Sequence, residues 1–189
     1  MKRILCILFI IIPLSGCLTT AVVSGAAMTG SVLYDKRSIK TILQDRHITQ
    51  TAQNLLNATP EVAKETHISV ATFNNTVLMI GQAQSSQLRD QAFQLISSVP
   101  NVKKVFNQVA ISGMTSSLQK TNDTWLTTKV RTSLLTEPGL NSSQIKVVTE
   151  NSNVYLMGEV TQTQANLSTD VTRRIPGVTK VIKVFDYLN

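Results

Sequence analysis

Little in this sequence could support catalysis or cross-linking. Cysteine occurs only at Cys6 and Cys17, and histidine only at His47 and His67. The two histidines have no second ligand type at a metal-binding spacing, so they read as surface residues and no metal site is expected. Carboxylates number 11 against 18 Lys and Arg, and none are paired in a way that suggests acid–base chemistry. There is no Gly-x-Ser-x-Gly, no phosphate loop and no His-Glu-x-x-His. No catalytic residue and no cofactor are expected, and the chain reads as a non-enzyme. The formal charge is +7, with basic residues spread along the chain rather than gathered in a stripe, which argues against nucleic acid as a partner. Aromatic residues make up only 5% of the chain, with a single tryptophan, Trp125. Long apolar runs are also missing. The run from Ile4 to Leu14 is about half the roughly 20 residues that a spanning helix needs.

That short run nevertheless sits in an informative place. It follows a basic Met1-Lys2-Arg3 and ends in Leu14-Ser15-Gly16-Cys17. A basic start, an apolar stretch and small residues before a cut are the parts of a secretory signal, here residues 1–16. The cysteine directly after the small residues resembles the lipobox of bacterial lipoproteins. That resemblance implies cleavage before Cys17, a diacylglycerol on its sulfur and a further acyl chain on the new amino terminus. The leader takes Cys6, Lys2 and Arg3 with it, so the mature chain has no free thiol, no disulfide and two fewer positive charges. Leu18 follows the cysteine where aspartate would favour retention in the inner membrane. By resemblance to the lipoprotein sorting rule, this implies the outer membrane, with the protein facing the periplasm. Residues 17–45 read as lipidated terminus and linker; 18–34 are rich in Ala, Gly, Ser, Thr and Val. A flexible tether from Cys17 to Arg46 spans on the order of 30 Å, enough to let the domains fold back onto their own leaflet.

Beyond the linker the chain repeats itself. Ile68-Ser69-Val70 and Asn74-Asn75-Thr76-Val77-Leu78-Met79-Ile80-Gly81 are answered by Ile145-Lys146-Val147 and Asn151-Ser152-Asn153-Val154-Tyr155-Leu156-Met157-Gly158. Val99-Pro100-Asn101-Val102 is answered by Ile175-Pro176-Gly177-Val178. Ile48, Ala52 and Leu56 are answered by Leu126, Val130 and Leu134, spaced as the core stripe of a helix. Each copy reads as a helix, a strand, an Asn-rich hairpin turn, an apolar strand ending at glycine, a second helix and a last strand. The second helices would face the core with Leu88, Ala92, Leu95, Ile96 and Val99, and with Leu167, Val171 and Ile175. The fold class is α+β, each unit α-β-β-α-β with two helices packed on a small three-stranded sheet. Gly81 and Gly158 are structural glycines that allow a turn or close helix–strand packing.

This pattern resembles the BON domain, over residues 46–112 and 121–189, with 113–120 as a short linker. The lipobox, Asp35-Lys36-Arg37-Ser38 and a second unit opening Asn122-Asp123-Thr124-Trp125 together resemble the dual-BON outer-membrane lipoproteins linked to division sites and envelope integrity. The resemblance implies anionic phospholipid as a partner, held through the second unit, and a link to the outer-membrane protein assembly machinery.

The two copies differ most on their first helices. Opposite the core stripe, the first copy carries Gln50, Gln53, Asn54 and Asn57. The second carries Trp125, Thr128, Thr132 and Leu135, with Lys129 beside them. Trp125 stands where the first copy has His47, and Asp123 just ahead of it reads as an N-cap. An indole and a leucine beside a cation suit a membrane interface, with Lys129 and Arg131 meeting anionic headgroups. The candidate lipid-binding residues are therefore Trp125, Leu126, Thr128, Lys129, Thr132 and Leu135, toward phosphatidylglycerol or cardiolipin. Two other readings stay open. Trp125 and Leu135 could instead pack on the first unit, and the second unit could dock on a protein partner as an adaptor. Tyr155, which replaces Leu78, is either core or interface.

Overall fold

In the computed structural model the described residues are 37–113 and 117–188. The leader, Cys17 and the 18–34 spacer lie outside them. Unit one runs α1 (Ile39–Ala58), α2 (Pro60–Glu65), β1 (Thr66–Phe73), β2 (Thr76–Ala83), α3 (Ser86–Ser97) and β3 (Lys104–Ile111). Unit two runs α4 (Ser117–Thr136), a 3₁₀ turn (Ser142–Gln144), β4 (Ile145–Glu150), β5 (Asn153–Val160), α5 (Gln162–Arg173) and β6 (Lys180–Tyr187). Each unit is thus the expected α-β-β-α-β, with α2 as a short addition in unit one. Both first helices start earlier than the periodicity suggested, inside segments read as linker. Ser38 explains the first start: its Oγ accepts from Thr41 N at 3.1 Å and caps the helix.

In each sheet the middle strand pairs antiparallel with the strand before it and parallel with the strand after it. The hairpins turn on Asn74-Asn75 and Asn151-Ser152, all four at positive φ, which suits the twist of a two-residue hairpin. Gly81 and Gly158 do not end their strands. They lie inside β2 and β5, opposite Ile68 and Ile145. A Cβ on Gly81 would collide with the carbonyl oxygen of His67, and one on Gly158 with that of Gln144. The glycines are there because a neighbouring backbone comes too close for a side chain, and at Gly81 also because φ is +118°. Neither a turn nor helix packing is the reason.

One face of each sheet packs on its own helices. In unit one Ile48, Ala52, Leu56, Val77, Met79, Ala92 and Ile96 form that core, and in unit two Leu126, Val130, Leu134, Val154, Leu156 and Ala165. Val171 and Ile175 pack on the core of unit two as the periodicity predicts, whereas Leu167 is a correction: it is only half-buried, and the buried residues of α5 are Ala165, Ser168 and Thr172. Ser168 and Thr172 can be buried because their hydroxyls donate to the carbonyls of Ala165 at 3.0 Å and Ser168 at 2.7 Å.

The other faces of the two sheets pack against each other. Ala71, Phe73, Leu78 and Ile80 meet Tyr155, Met157 and Val184 in a third apolar cluster. The order is helices, sheet, sheet, helices. Polar bonds frame the contact: Gln82 Nε2 donates to Glu150 at 2.7 Å, Asn74 Nδ2 to Glu159 at 2.8 Å, and Lys146 Nζ to the Thr72 carbonyl at 3.0 Å. Tyr155 is therefore an interface residue, 5% exposed, and burial pushes its phenol pKa above the ordinary value, with Glu150 adding to the effect.

Candidate functional site

The α4 face is set by where the helix is pinned. Asp123 is not an N-cap, because α4 begins at Ser117 and Asp123 lies well inside it. It is buried, and its carboxylate accepts the backbone N–H groups of Asn151 and Ser152, each at 2.8 Å. Asp45 holds the first hairpin in the same way, accepting from Asn74 N at 2.9 Å and Asn75 N at 2.8 Å. A left-handed two-residue turn points its N–H groups together, and a carboxylate satisfies both with charge-assisted bonds. A second bond repeats too: Thr49 Oγ1 to Thr72 Oγ1 at 2.8 Å, and Thr127 Oγ1 to Thr149 Oγ1 at 2.7 Å. In both units these bonds hold the first helix at one rotation over its sheet.

That rotation sorts the candidate residues. Leu126 is fully buried in the core of unit two and cannot meet a ligand. Its place in the core stripe fixes the helix, and its inclusion among lipid-binding residues is corrected. Trp125 is 55% exposed and Leu135 53%, so neither is buried against unit one. Lys129 Nζ lies 4.8 Å from the Trp125 ring centroid, a cation–π contact that holds a positive charge over the indole. Thr128 Oγ1 and Thr132 Oγ1 donate to the carbonyls four residues back, at 3.1 and 3.0 Å. With their donors spent on the backbone, these threonines show more methyl than hydroxyl, and the face is more apolar than its composition suggests. Arg131 points elsewhere, its Nη2 donating to the Val147 carbonyl at 3.2 Å.

Sequence reading missed Leu118, which had been assigned to the linker. It is 85% exposed and lies two turns before Trp125 on the same stripe of α4. The signal was the seven-residue spacing of positions 118, 125 and 132, legible only once the helix is known to start at Ser117. On α1 the equivalent of Trp125 is His47, exposed and polar. Among the described residues no helix is long and apolar enough to cross a membrane.

The family model described as the BON domain matches residues 44–113 and 122–189. The chain belongs to the BON domain family. It is 34% identical over 189 residues to the outer membrane lipoprotein DolP of Haemophilus influenzae, covering 100% of this chain and 97% of that one. It is 30% identical over 154 residues to the 21 kDa hemolysin of Actinobacillus pleuropneumoniae, covering 82% of this chain and 79% of that one. Among solved structures, the C-terminal domain of CdsD from the type III secretion system of Chlamydia trachomatis matches at 17% identity. That match has a TM-score of 0.30 and covers 77% of this chain and 67% of that one, too loose to carry any argument. This chain is an outer-membrane lipoprotein with two BON units, lipid-anchored and facing the periplasm.

Proposed function

We propose that this lipoprotein binds anionic phospholipid through the exposed face of α4 in the second BON unit, and in that way supports outer-membrane integrity. One observation carries the reading: Trp125 stays half-exposed, with the Lys129 ammonium over its ring, on a helix already pinned by its opposite face. The membrane face is Leu118, Trp125, Thr128, Lys129, Thr132 and Leu135. Indole and leucine enter the headgroup boundary, and the cation meets the phosphates.

The contact is weak by design. Partial burial of Trp125 and Leu135 contributes a few kcal/mol, and each nearby Lys or Arg about 1 kcal/mol on an anionic surface. An acylated Cys17 is the permanent attachment, so the α4 contact acts within one molecule, at an effective concentration up to about the millimolar range. A preference for anionic lipid then biases where the protein sits along the membrane, as a role at division sites requires. It is a binding module, not an enzyme.

The test uses the mature chain with Cys17→Ser, so that no acyl chain confounds the result. Binding to phosphatidylglycerol or cardiolipin vesicles is expected, weakening with salt, and falling at least about tenfold in Trp125→Glu with the circular dichroism spectrum unchanged. A folded wild type that ignores anionic vesicles overturns the reading. The second unit would then be an adaptor for a protein partner such as the outer-membrane protein assembly machinery.

A further inference from the structure

The two sheets have open edges at β1, β3, β4 and β6, because β2 and β5 lie in the middle. An open edge presents unpaired N–H and C=O groups, a template for another strand. On β1, β3 and β4 a side chain of this chain occupies that backbone. The β1 carbonyls of Ile68 and Thr72 accept from Gln53 Nε2 at 3.3 Å and from Lys146 Nζ at 3.0 Å. On β4 the Val147 carbonyl accepts from Arg131 Nη2 at 3.2 Å. On β3 Asn107 turns back on its own strand, and its Oδ1 accepts the Val109 N–H at 3.2 Å.

Among the described residues β6 is different. Leu188 N donates inward to the Val160 carbonyl at 3.0 Å, as Ser112 N does to that of Ala83 at 3.1 Å in unit one. Backbone groups alternate in direction along a strand, so Val181, Lys183, Phe185 and Tyr187 turn theirs outward, as Val109 does on β3. No described residue bonds to them there. The repeat supplies an internal control. Register places Lys183 where β3 has Asn107, and Phe185 where it has Val109. Lysine has no acceptor, so it cannot close the Phe185 N–H as Asn107 closes that of Val109. Lys180 and Lys183 are exposed, whereas the carboxylate of the strand, Asp186, is turned toward unit one, 3.3 Å from Thr76 Oγ1.

We propose that the outer edge of β6 is a docking site for an extended acidic segment of a partner protein, which adds a strand to the second sheet. Main-chain bonds to the outward groups give affinity, and side chains on alternate sides of the added strand select the partner. Acidic residues on one side lie beside Lys183. Apolar residues on the other lie beside Ile182, which is half-buried at the border of the cluster between the sheets. The same lysines exclude a second copy of this chain, since two β6 edges would bring like charges together. β6 shares no residue with the α4 face, so the protein can hold lipid and partner at once.

The test is NMR on the mature Cys17→Ser chain without lipid. The probe is a short blocked peptide of alternating valine and glutamate, beside a valine–lysine peptide of the same length. With the acidic peptide, amide exchange at Lys183, Phe185 and Tyr187 should slow. The valine–lysine peptide should bind at least about tenfold more weakly. Lys183→Asn installs the residue that unit one carries at the same place, so the sheet survives. It should weaken the acidic peptide at least about tenfold. Unchanged exchange at Phe185, equal binding of the two peptides, or full binding by Lys183→Asn would each overturn the site. Failure of the vesicle experiment leaves this result unaffected, so the two readings fail separately.

Discussion

Asp45 and Asp123 have the same task in the two units, each holding a left-handed hairpin by two backbone N–H groups. Two positions further along the same helices, His47 and Trp125 do not. The difference separates what the fold needs from what it is free to vary. Residues that point from the first helix to its own sheet are kept in kind: the aspartate, the Thr–Thr bond, the apolar stripe. Residues on the outer side have diverged, to Gln and Asn in unit one and to Trp, Leu and a cation in unit two. The outer side of α4 is therefore where the fold leaves the sequence free to vary, and it is the face proposed to meet lipid.

The glycines test the shared part most severely. Gly81→Ala and Gly158→Ala each force a Cβ into a neighbouring carbonyl, at a cost of about 4 kcal/mol or more. Gly81→Ala should be the worse, because its clash is closer and its φ is +118°. Urea unfolding of the two variants gives the order; equal loss would break the account of Gly81 as doubly constrained.

The aspartate latch comes next. Asp45→Ala and Asp123→Ala each leave two hairpin N–H groups without their acceptor, a loss of about 3 kcal/mol by denaturant unfolding. Amide exchange should quicken at Asn74 and Asn75 in the first variant and at Asn151 and Ser152 in the second. A variant with unchanged exchange at its own hairpin would show that the latch is not what holds the turn.

Tyr155 gives the smallest effect and tests the interface between the units. Its folded pKa lies above the ordinary 10.0, so above that pH the unfolded chain releases a proton that the folded chain keeps. The tyrosine's contribution to stability is complete below about pH 10 and declines as the pH rises above it. Tyr155→Phe should flatten this part of the curve, and its counterpart Leu78 has no such titration. A pH dependence identical in wild type and Tyr155→Phe would place the phenol outside the interface.

Much of the architecture was legible because repetition doubles every signal. The apolar stripe at Ile48, Ala52 and Leu56 and its counterpart at Leu126, Val130 and Leu134 read as core from spacing alone, and they are core. The Asn-rich turns followed from residues that tolerate positive φ. Misreadings arose where a polar residue was buried. Asp123 resembled a cap because it precedes a tryptophan, and nothing local shows that its partners lie in the hairpin. Its repeat at Asp45 was the available clue. The burial of Ser168 and Thr172 leaves no trace in a pattern of apolar residues, because their hydroxyls are satisfied by carbonyls of their own helix.

By itself the sequence determined the two α-β-β-α-β units and the residue pair, His47 and Trp125, that distinguishes one first helix from the other. It also contained, unread, a sign of something more: Val77 to Ile80 and Val154 to Met157 are apolar at every position, whereas a sheet covered on one face needs only every second one. Only the tertiary structure decided what covers the other face, because alternation along a strand says that a side is buried but not by what. The answer is the partner sheet, through Leu78, Ile80, Tyr155 and Met157. That packing leaves Trp125 outside and brings Arg37 and Arg46 beside Arg131 and Lys146, residues far apart in the chain whose charges meet only when the two units close on each other.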